Sequence, residues 1–537
     1  MKRREFLGVS VLTGVATTLP DTPPNATRLP EAAAGSQDSF ELNEITVADL
    51  QAGYARGRWT ARQITELYLD RIEAIDRRGP ALRSVIETNP DALAIAETLD
   101  AERRAGRLRG PLHGIPILIK DNIDTADRMQ TTAGSLALEG SIAPKDAFIV
   151  ERLRSAGAVL LGKTNLSEWA NFRSSSSSSG WSGRGGQTRN PYQLDRSPCG
   201  SSSGSGTAGA ANLATITIGT ETDGSIVCPS SIAALVGLKP TVGLWSRAGI
   251  IPISHTQDTA GPMCRTVADA AALLGPLTGV DPWDAATQPS QGRAATDYRS
   301  HLKPDGLRGA RIGVVRKHQG ISTKTEAVYQ LALDALKSAG AILIDPVDLP
   351  DPGPMGRAEW DVLAYEFKAG IATYLATLGD RAKHRTLADL IAFNKANQAR
   401  EMPFFGQETF ELAEKKGPLT DPKYRGLLAT CRRLSRTLGL DPRFARHRLD
   451  AFVAVAAGPA WPIDLANGDR FTGGNSSYPA VAGYPSITVP AGDVHGLPVG
   501  LLFMGRPWSE GRLLELAYGF EQTTKSRRPP QFRATLG

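Results

Sequence analysis

Ser197-Pro-Cys-Gly-Ser-Ser-Ser-Gly-Ser-Gly-Thr-Ala-Gly-Ala-Ala-Asn-Leu-Ala-Thr-Ile-Thr-Ile-Gly-Thr-Glu-Thr-Asp-Gly-Ser225 is the stretch that decides how this chain folds. A loop dense in glycine and serine (Gly200–Gly206) runs into a helix of small residues, then an apolar strand, then a second tight turn, Asp223-Gly224-Ser225. Ser201 and Ser225 are thereby offered from two backbone turns that one sheet can bring together. Upstream, Gly114-Ile-Pro-Ile-Leu-Ile-Lys120-Asp-Asn122 puts a lysine at the end of a wholly apolar strand. A lysine there has to be solvated, paired or neutral. A neutral lysine is a base, and a base beside serines makes a nucleophile.

The surrounding pattern alternates. A helix is predicted over 60–76, where Thr60 and Gln63 form a capping box and Ile64, Leu67, Tyr68, Ile72 and Ile75 form one apolar stripe. Asn89-Pro90 opens a second helix to about Ala105. Strands follow at 115–119, 158–161, 214–218, 311–315, 341–345, 451–456, 485–489 and 497–503, with helices at 147–156, 325–338 and 512–523. Continuous apolar strands separated by helices define an α/β sheet covered on both faces. Residues 355–440 carry helical patterns without a strand and read as a helical insertion. The serine run Ser174–Ser179 with Gly180–Gly186 reads as a flexible surface loop.

Composition narrows the function. Apolar residues make up 41% and charged residues 22%, as in ordinary globular proteins. The 61 basic residues exceed the 55 acidic ones by only six, and no basic run with interleaved aromatics marks a nucleic-acid surface. Arg3-Arg4 ahead of the short apolar stretch Gly8–Leu19 has the pattern of a twin-arginine export signal, so residues 1–34 are expected as a signal segment of an exported, periplasmic or secreted protein. No other stretch reaches the roughly 18 apolar residues of a membrane span. Cys199, Cys228, Cys264 and Cys431 lack metal-site spacing and are expected as small packed thiols.

Rival motifs fail on context. Gly200-Ser-Ser-Ser-Gly204 fits G-x-S-x-G, but a polar turn with two prolines (Asn190–Pro198) stands where a nucleophile elbow needs a buried strand. The same loop lacks the Gly-Lys-Ser/Thr ending of a phosphate-binding loop. His301, His318, His384, His447 and His495 stand in no distinctive setting.

The lysine strand, the Cys199-Gly-Ser-Ser-Ser-Gly-Ser-Gly206 loop, Gly219-Thr-Glu-Thr-Asp-Gly-Ser-Ile226 and Val236-Gly-Leu-Lys-Pro-Thr241 together resemble the successive landmarks of the amidase signature family. Gly162–Trp169, Gly261-Pro-Met263, Gly483–Gly492 and Leu497–Leu501 extend the resemblance to roughly residues 40–525. It implies an α/β/α sandwich around a large mixed β-sheet, with the chain from 35 to 537 as a single amidase domain. It implies a triad in which Lys120 is the base, Ser201 the relay preceded by a cis peptide bond, and Ser225 the nucleophile, with Ser202 as the alternative relay one residue away. Backbone N–H groups of Thr222, Asp223, Gly224 and Ser225 would form the oxyanion hole, and no cofactor or metal is required. Asp223 stands where most members have glycine, and Val227 where many carry an arginine for a substrate carboxylate. The local sequence is nearest to bacterial peptide amidases, so the expected substrate is a small-molecule or peptide amide, foremost a C-terminal peptide amide. The alternatives are the A subunit of a tRNA-dependent amidotransferase, a general aliphatic or aryl amidase, and a non-catalytic binding module. Oligomeric state stays open.

Overall fold

A computed structural model describes residues 40–317 and 322–536; the expected signal segment and His318 lie outside them. The strands are β1 (Val85–Thr88), β2 (Pro116–Lys120), β3 (Val159–Thr164), β4 (Trp181–Ser182), β5 (Gly186–Gln187), β6 (Ile216–Glu221), β7 (Val236–Lys239), β8 (Thr259–Cys264), β9 (Arg311–Val314), β10 (Ile342–Ile344), β11 (Ala451–Val455), β12 (Ser486–Val494) and β13 (Leu497–Met504). All but β4 and β5 join one mixed sheet of eleven strands in the order β1-β3-β2-β6-β8-β7-β12-β13-β11-β9-β10. The segment β3-β2-β6 is parallel, and β6-β8-β7-β12-β13-β11 is antiparallel throughout.

Every residue of β2, β3 and β6 is buried. That burial on both faces accounts for the apolar runs Pro116–Ile119 of β2 and Val159–Leu161 of β3. Helices Ala61–Arg71 and Ala92–Arg104 flank β2 and β3 on the N-terminal side, and Glu510–Thr524 packs near β12. The first starts at the anticipated capping box, with Gln63 N–H on Thr60 Oγ1 and Thr60 N–H on Gln63 Oε1, but it passes into a π-helical turn from Ile72 to Arg77. The second begins at Ala92 rather than at Pro90. Asn89 spends its amide on the Leu160 carbonyl and its oxygen on Asp91 N–H, which ties it to β3 ahead of the helix.

Three strands of the eleven-stranded sheet escape the sequence pattern, as do the two short strands β4 and β5. β8 contains Gly261-Pro262, and proline in a central strand argues against one. It is accommodated because the β7 ladder ends at Gly237↔Met263, leaving Pro262 with a single neighbouring strand, through Ile218. β7 and β1 are four residues each, too short for a period to show.

Two expectations are corrected. Residues 174–186 are not a flexible surface loop. Ser178, Ser179 and Ser182 are buried, and β4 pairs with β5 inside the segment. Ser174 and Ser175 donate to Glu408, Ser182 to Asn165, and Ser179 N–H to Asp469, so the serines are a hydrogen-bonding lining. The cysteines are not four free thiols either. Cys199 and Cys228 form a disulfide, while Cys264 and Cys431 are free and buried.

Helices Gly353–Thr377, Leu387–Ala396, Glu408–Glu414 and Pro422–Arg432 cover the region where the sequence shows helical patterns alone. This region is fastened to the sheet side by polar contacts: Tyr374 donates to Asp124 at 2.9 Å, and Glu401, at the end of the short helix Gln398–Glu401, accepts from Ser135 and from Leu136 N–H.

The disulfide spans 29 positions of chain and joins the loop before Ser201 to the helix after Ser225. Closing a loop of that size is worth roughly 3–4 kcal/mol through the unfolded state. Replacing both cysteines by serine is expected to lower the urea midpoint accordingly and to make it insensitive to a phosphine reductant. Equal midpoints for the two proteins would show that the bridge carries no stability.

Candidate active site

Lys120 is the last residue of β2, between the parallel neighbours β3 and β6, and is fully buried. Its Nζ lies 2.8 Å from Ser201 Oγ, 2.9 Å from Thr220 Oγ1 and 3.1 Å from Ser202 Oγ. No carboxylate comes within ion-pair distance among the described residues. Burial therefore lowers the amine to about pKa 7, against the smaller upward pull of Asp258 and Glu221.

The partners around the amine decide which way its hydrogens point. Ser202 donates its own proton to the Thr220 carbonyl at 2.9 Å, so toward Lys120 it can only accept. Thr220 Oγ1 accepts from Asn122 Nδ2 at 3.0 Å and has a second lone pair for the lysine. A neutral amine has two N–H groups and one lone pair. Were Ser202 and Thr220 to take those two hydrogens, the lone pair would face Ser201. The same commitments separate the two candidate relays: Ser201 has a proton to give, and the Ser202 proton is already placed.

Ser201 follows a cis peptide bond at Gly200. Glycine is required there by space, since a Cβ would sit 2.1 Å from Ser167 Oγ. The Ser201 carbonyl accepts from Ser167 N–H at 3.0 Å, and Ser202 N–H donates to the Ser225 carbonyl at 3.2 Å. The two loops are thus stitched backbone to backbone. A direct hydrogen bond between the Ser201 and Ser225 hydroxyls is absent among the described residues, so the structure joins Lys120 to Ser201 and sets Ser225 beside them.

The turn bearing Ser225 is held from its outer side. Glu221 Oε2 accepts from Ile226 and Val227 N–H at 2.8 and 3.0 Å. The Asp223 carboxylate accepts from Ser476 and Ser477, and Thr222 Oγ1 donates to Asp258 at 2.7 Å. Gly224 takes φ +79°, where a Cβ would also meet Ser476 Oγ at 2.9 Å. The N–H groups of Asp223, Gly224 and Ser225 donate to no acceptor among the described residues. Unspent donors on a fixed turn are the requirement for binding a developing oxyanion. Beyond the turn, Gln257 bridges the Thr222 carbonyl to Glu359 of helix Gly353–Thr377.

A cleft of about 1050 Å³ abuts this site, and Asn122, Thr220, Thr222, Ile251, Gly370 and Tyr374 are among its lining residues. Lys120, Ser201 and Ser225 are not on its wall. Among the described residues no group of three His, Cys, Asp or Glu side chains has the arrangement to hold a metal ion.

The fold and this site are those of a serine amidase. The family model for amidases matches residues 63–514, and the chain belongs to the amidase signature family. It is 55% identical to the solved peptide amidase of Stenotrophomonas maltophilia, with a TM-score of 0.88 over 92% of this chain and 99% of that one. It is 43% identical to a "probable amidase" of Arabidopsis thaliana over 92% of this chain and 93% of the relative. It is 35% identical to the A subunit of the glutamyl-tRNA(Gln) amidotransferase of Chloroflexus aurantiacus, over 91% of this chain and 99% of the relative.

The sequence singles out Lys120, Ser201, Ser225 and the turn at 222–225, which the structure brings near one another, but not the groups that bond to that turn. Asp258, Glu359, Ser476 and Ser477 come from distant segments with no motif of their own. Asn122 and Glu221 were in view, within the lysine and Thr-Glu-Thr-Asp-Gly-Ser motifs, but their partners were not.

If neutral Lys120 is the active form, kcat/KM falls below about pH 7, where the amine gains its proton. Asp258 is the larger of the two charges that hold the amine up. Asp258→Asn is thus expected to move this acid limb to lower pH, as read from the pH dependence of kcat/KM. A limb that stays in place would detach it from Lys120.

Proposed function

We propose that this amidase hydrolyses C-terminal carboxamides of peptides to the free acid and ammonia, with Ser225 as nucleophile, Ser201 as relay and Lys120 as base. The observation that carries the reading is the buried Lys120 amine, 2.8 Å from Ser201, with acceptors for both of its N–H groups. The likeness to peptide amidase supports the substrate class. Neutral Lys120 takes the Ser201 proton as Ser201 takes that of Ser225, and Ser225 Oγ bonds to the amide carbon. The carbonyl π pair moves onto oxygen, facing the N–H groups of the 222–225 turn; each such donor is worth about 3–4 kcal/mol of barrier. The relay reverses to protonate nitrogen, the C–N bond breaks, and ammonia leaves an acyl ester on Ser225. Water then attacks that ester through the same relay.

We also place the enzyme outside the cytoplasm. Arg3-Arg4 and the apolar stretch after it support export, and the Cys199–Cys228 bridge fits an oxidising compartment. No helix among the described residues is long and apolar enough to cross a membrane.

The test is ammonia release from peptide amides. Ser225→Ala is expected to lose at least about 10³-fold in kcat with its thermal unfolding preserved, and Ser201→Ala a comparable factor. Turnover retained by Ser225→Ala would remove the assigned nucleophile. Ammonia transfer to a glutamyl-tRNA in place of hydrolysis would favour the amidotransferase alternative.

A further inference from the structure

The peptide unit that opens the Ser225 turn is held by its carbonyl. Gln257 Nε2 donates to the Thr222 carbonyl at 3.3 Å and to Glu359 Oε1 at 2.8 Å. A side-chain amide nitrogen has two hydrogens, and these contacts account for both. The Thr222 carbonyl can only accept, which places the nitrogen and not the oxygen of the Gln257 amide on that side. Gln257 and Glu359 are both buried.

Cis peptide bonds among the described residues stand at Gly200-Ser201 and Asp345-Pro346, so the bond from Thr222 to Asp223 is trans. In a planar trans unit the carbonyl and the following N–H point in opposite directions. Holding the Thr222 carbonyl on Gln257 therefore sets where Asp223 N–H points, and that N–H donates to no acceptor among the described residues. The Thr222 side chain is held separately, by Asp258 at 2.7 Å. Without Gln257 the hydroxyl contact would remain, while the peptide plane could turn about the backbone bonds on either side of it.

The loop that carries Gln257 is tied to the same helix as its anchor. Glu366 lies seven residues after Glu359 in Gly353–Thr377, on the same face. It accepts from Ser254 Oγ, Thr256 N–H and Thr256 Oγ1. Helix, loop and turn are thus linked in series by side chains of the helical insertion.

We propose that Gln257 is a positioning residue for the oxyanion hole: anchored by Glu359, it sets the Thr222–Asp223 peptide plane so that Asp223 N–H meets the developing oxyanion. The inference rests on the hydrolytic reading above and adds to it a residue from outside the turn. Gln257 then acts on the transition state rather than on substrate binding, because the carbonyl oxygen carries its charge only after Ser225 attacks.

Gln257→Met keeps the length of the side chain and removes both donors. For a carboxamide that the wild type hydrolyses, it is expected to lower kcat about 10- to 100-fold with KM within about twofold. Affinity for a peptidyl trifluoromethyl ketone, which presents an oxyanion once Ser225 adds to it, is expected to fall by a similar factor. Affinity for the matching secondary alcohol, which cannot add, is expected to stay the same. Glu359→Met removes the anchor and is expected to show the same pattern more weakly, and Glu359→Gln, which keeps an acceptor at the same reach, to recover most of that loss. The double variant Gln257→Met/Glu359→Met is expected within about twofold of Gln257→Met alone, since both act through one contact.

An unchanged kcat in Gln257→Met, a loss confined to KM, or an unchanged trifluoromethyl ketone affinity would overturn the proposal. So would losses that multiply in the double variant. Should thermal unfolding show that Gln257→Met does not fold, Glu359→Met against Glu359→Gln decides on the same readouts, and equal values overturn it. Ser225→Ala is measured alongside. Turnover surviving in Ser225→Ala removes the hydrolytic reading and this inference with it. An inactive Ser225→Ala beside a fully active Gln257→Met removes this inference alone.

Discussion

A lysine amine buried in a sheet without a carboxylate partner is the constraint around which the rest of this site is arranged. Moving its pKa from the ordinary ~10.4 to about 7 corresponds to roughly 4–5 kcal/mol against the charged form. The unfolded chain holds that proton between about pH 7 and 10.4 and the native one does not. Stability therefore rises with pH across this window, and the whole cost is present below it. The fold carries that cost in exchange for a base that is neutral near neutral pH. A direct ion pair to Lys120 would remove the cost and the base together.

Carboxylates are nevertheless close, and their bonding explains why they leave the lysine neutral. Glu221 turns one oxygen to Ile226 and Val227 N–H, and Asp258 accepts from Thr222, Ile253 N–H and Ser254 N–H. Asp223 accepts from two serines. Each fixes the backbone near Ser225, and Asp258 and Glu221 contribute only a distant pull on the amine. The disulfide closes the same assembly covalently, between the residue two before Ser201 and the residue three after Ser225. The proposed nucleophile and relay both stand on turns, and such fastening fixes where those turns lie.

What the sequence disclosed follows from where the information lies. β2, β3 and β6 were legible because strands buried on both faces are rich in apolar residues, and Lys120 stood out as a charge directly closing the run Ile117–Ile119, although Lys163, Glu221 and Lys239 also stand at the ends of buried strands. Ser201 and Ser225 were legible because tight turns need glycine at fixed offsets. β8 was hidden by Pro262, whose tolerance depends on where a neighbouring ladder ends, a fact of pairing rather than of composition. The serine-rich segment 174–186 misled for a related reason. Serines suit a solvated loop and a buried hydrogen-bonded lining equally, and only the partners Asn165, Glu408 and Asp469 decide between them. The Cys199–Cys228 bridge likewise depends on two loops meeting, which no spacing rule contains.

Two departures from the family pattern stand at the Ser225 turn. Val227 is fully buried in an apolar cluster with Val315, Tyr478 and Leu502, so no cation stands two residues after Ser225. Asp223 puts a carboxyl group where the family pattern has no side chain, and Ser476 and Ser477 hold it against the turn. If Ser225 is the nucleophile, as proposed, a substrate with a carboxylate close to its amide finds no cation at position 227, whereas a peptide amide, whose neighbouring group is a neutral backbone, needs none.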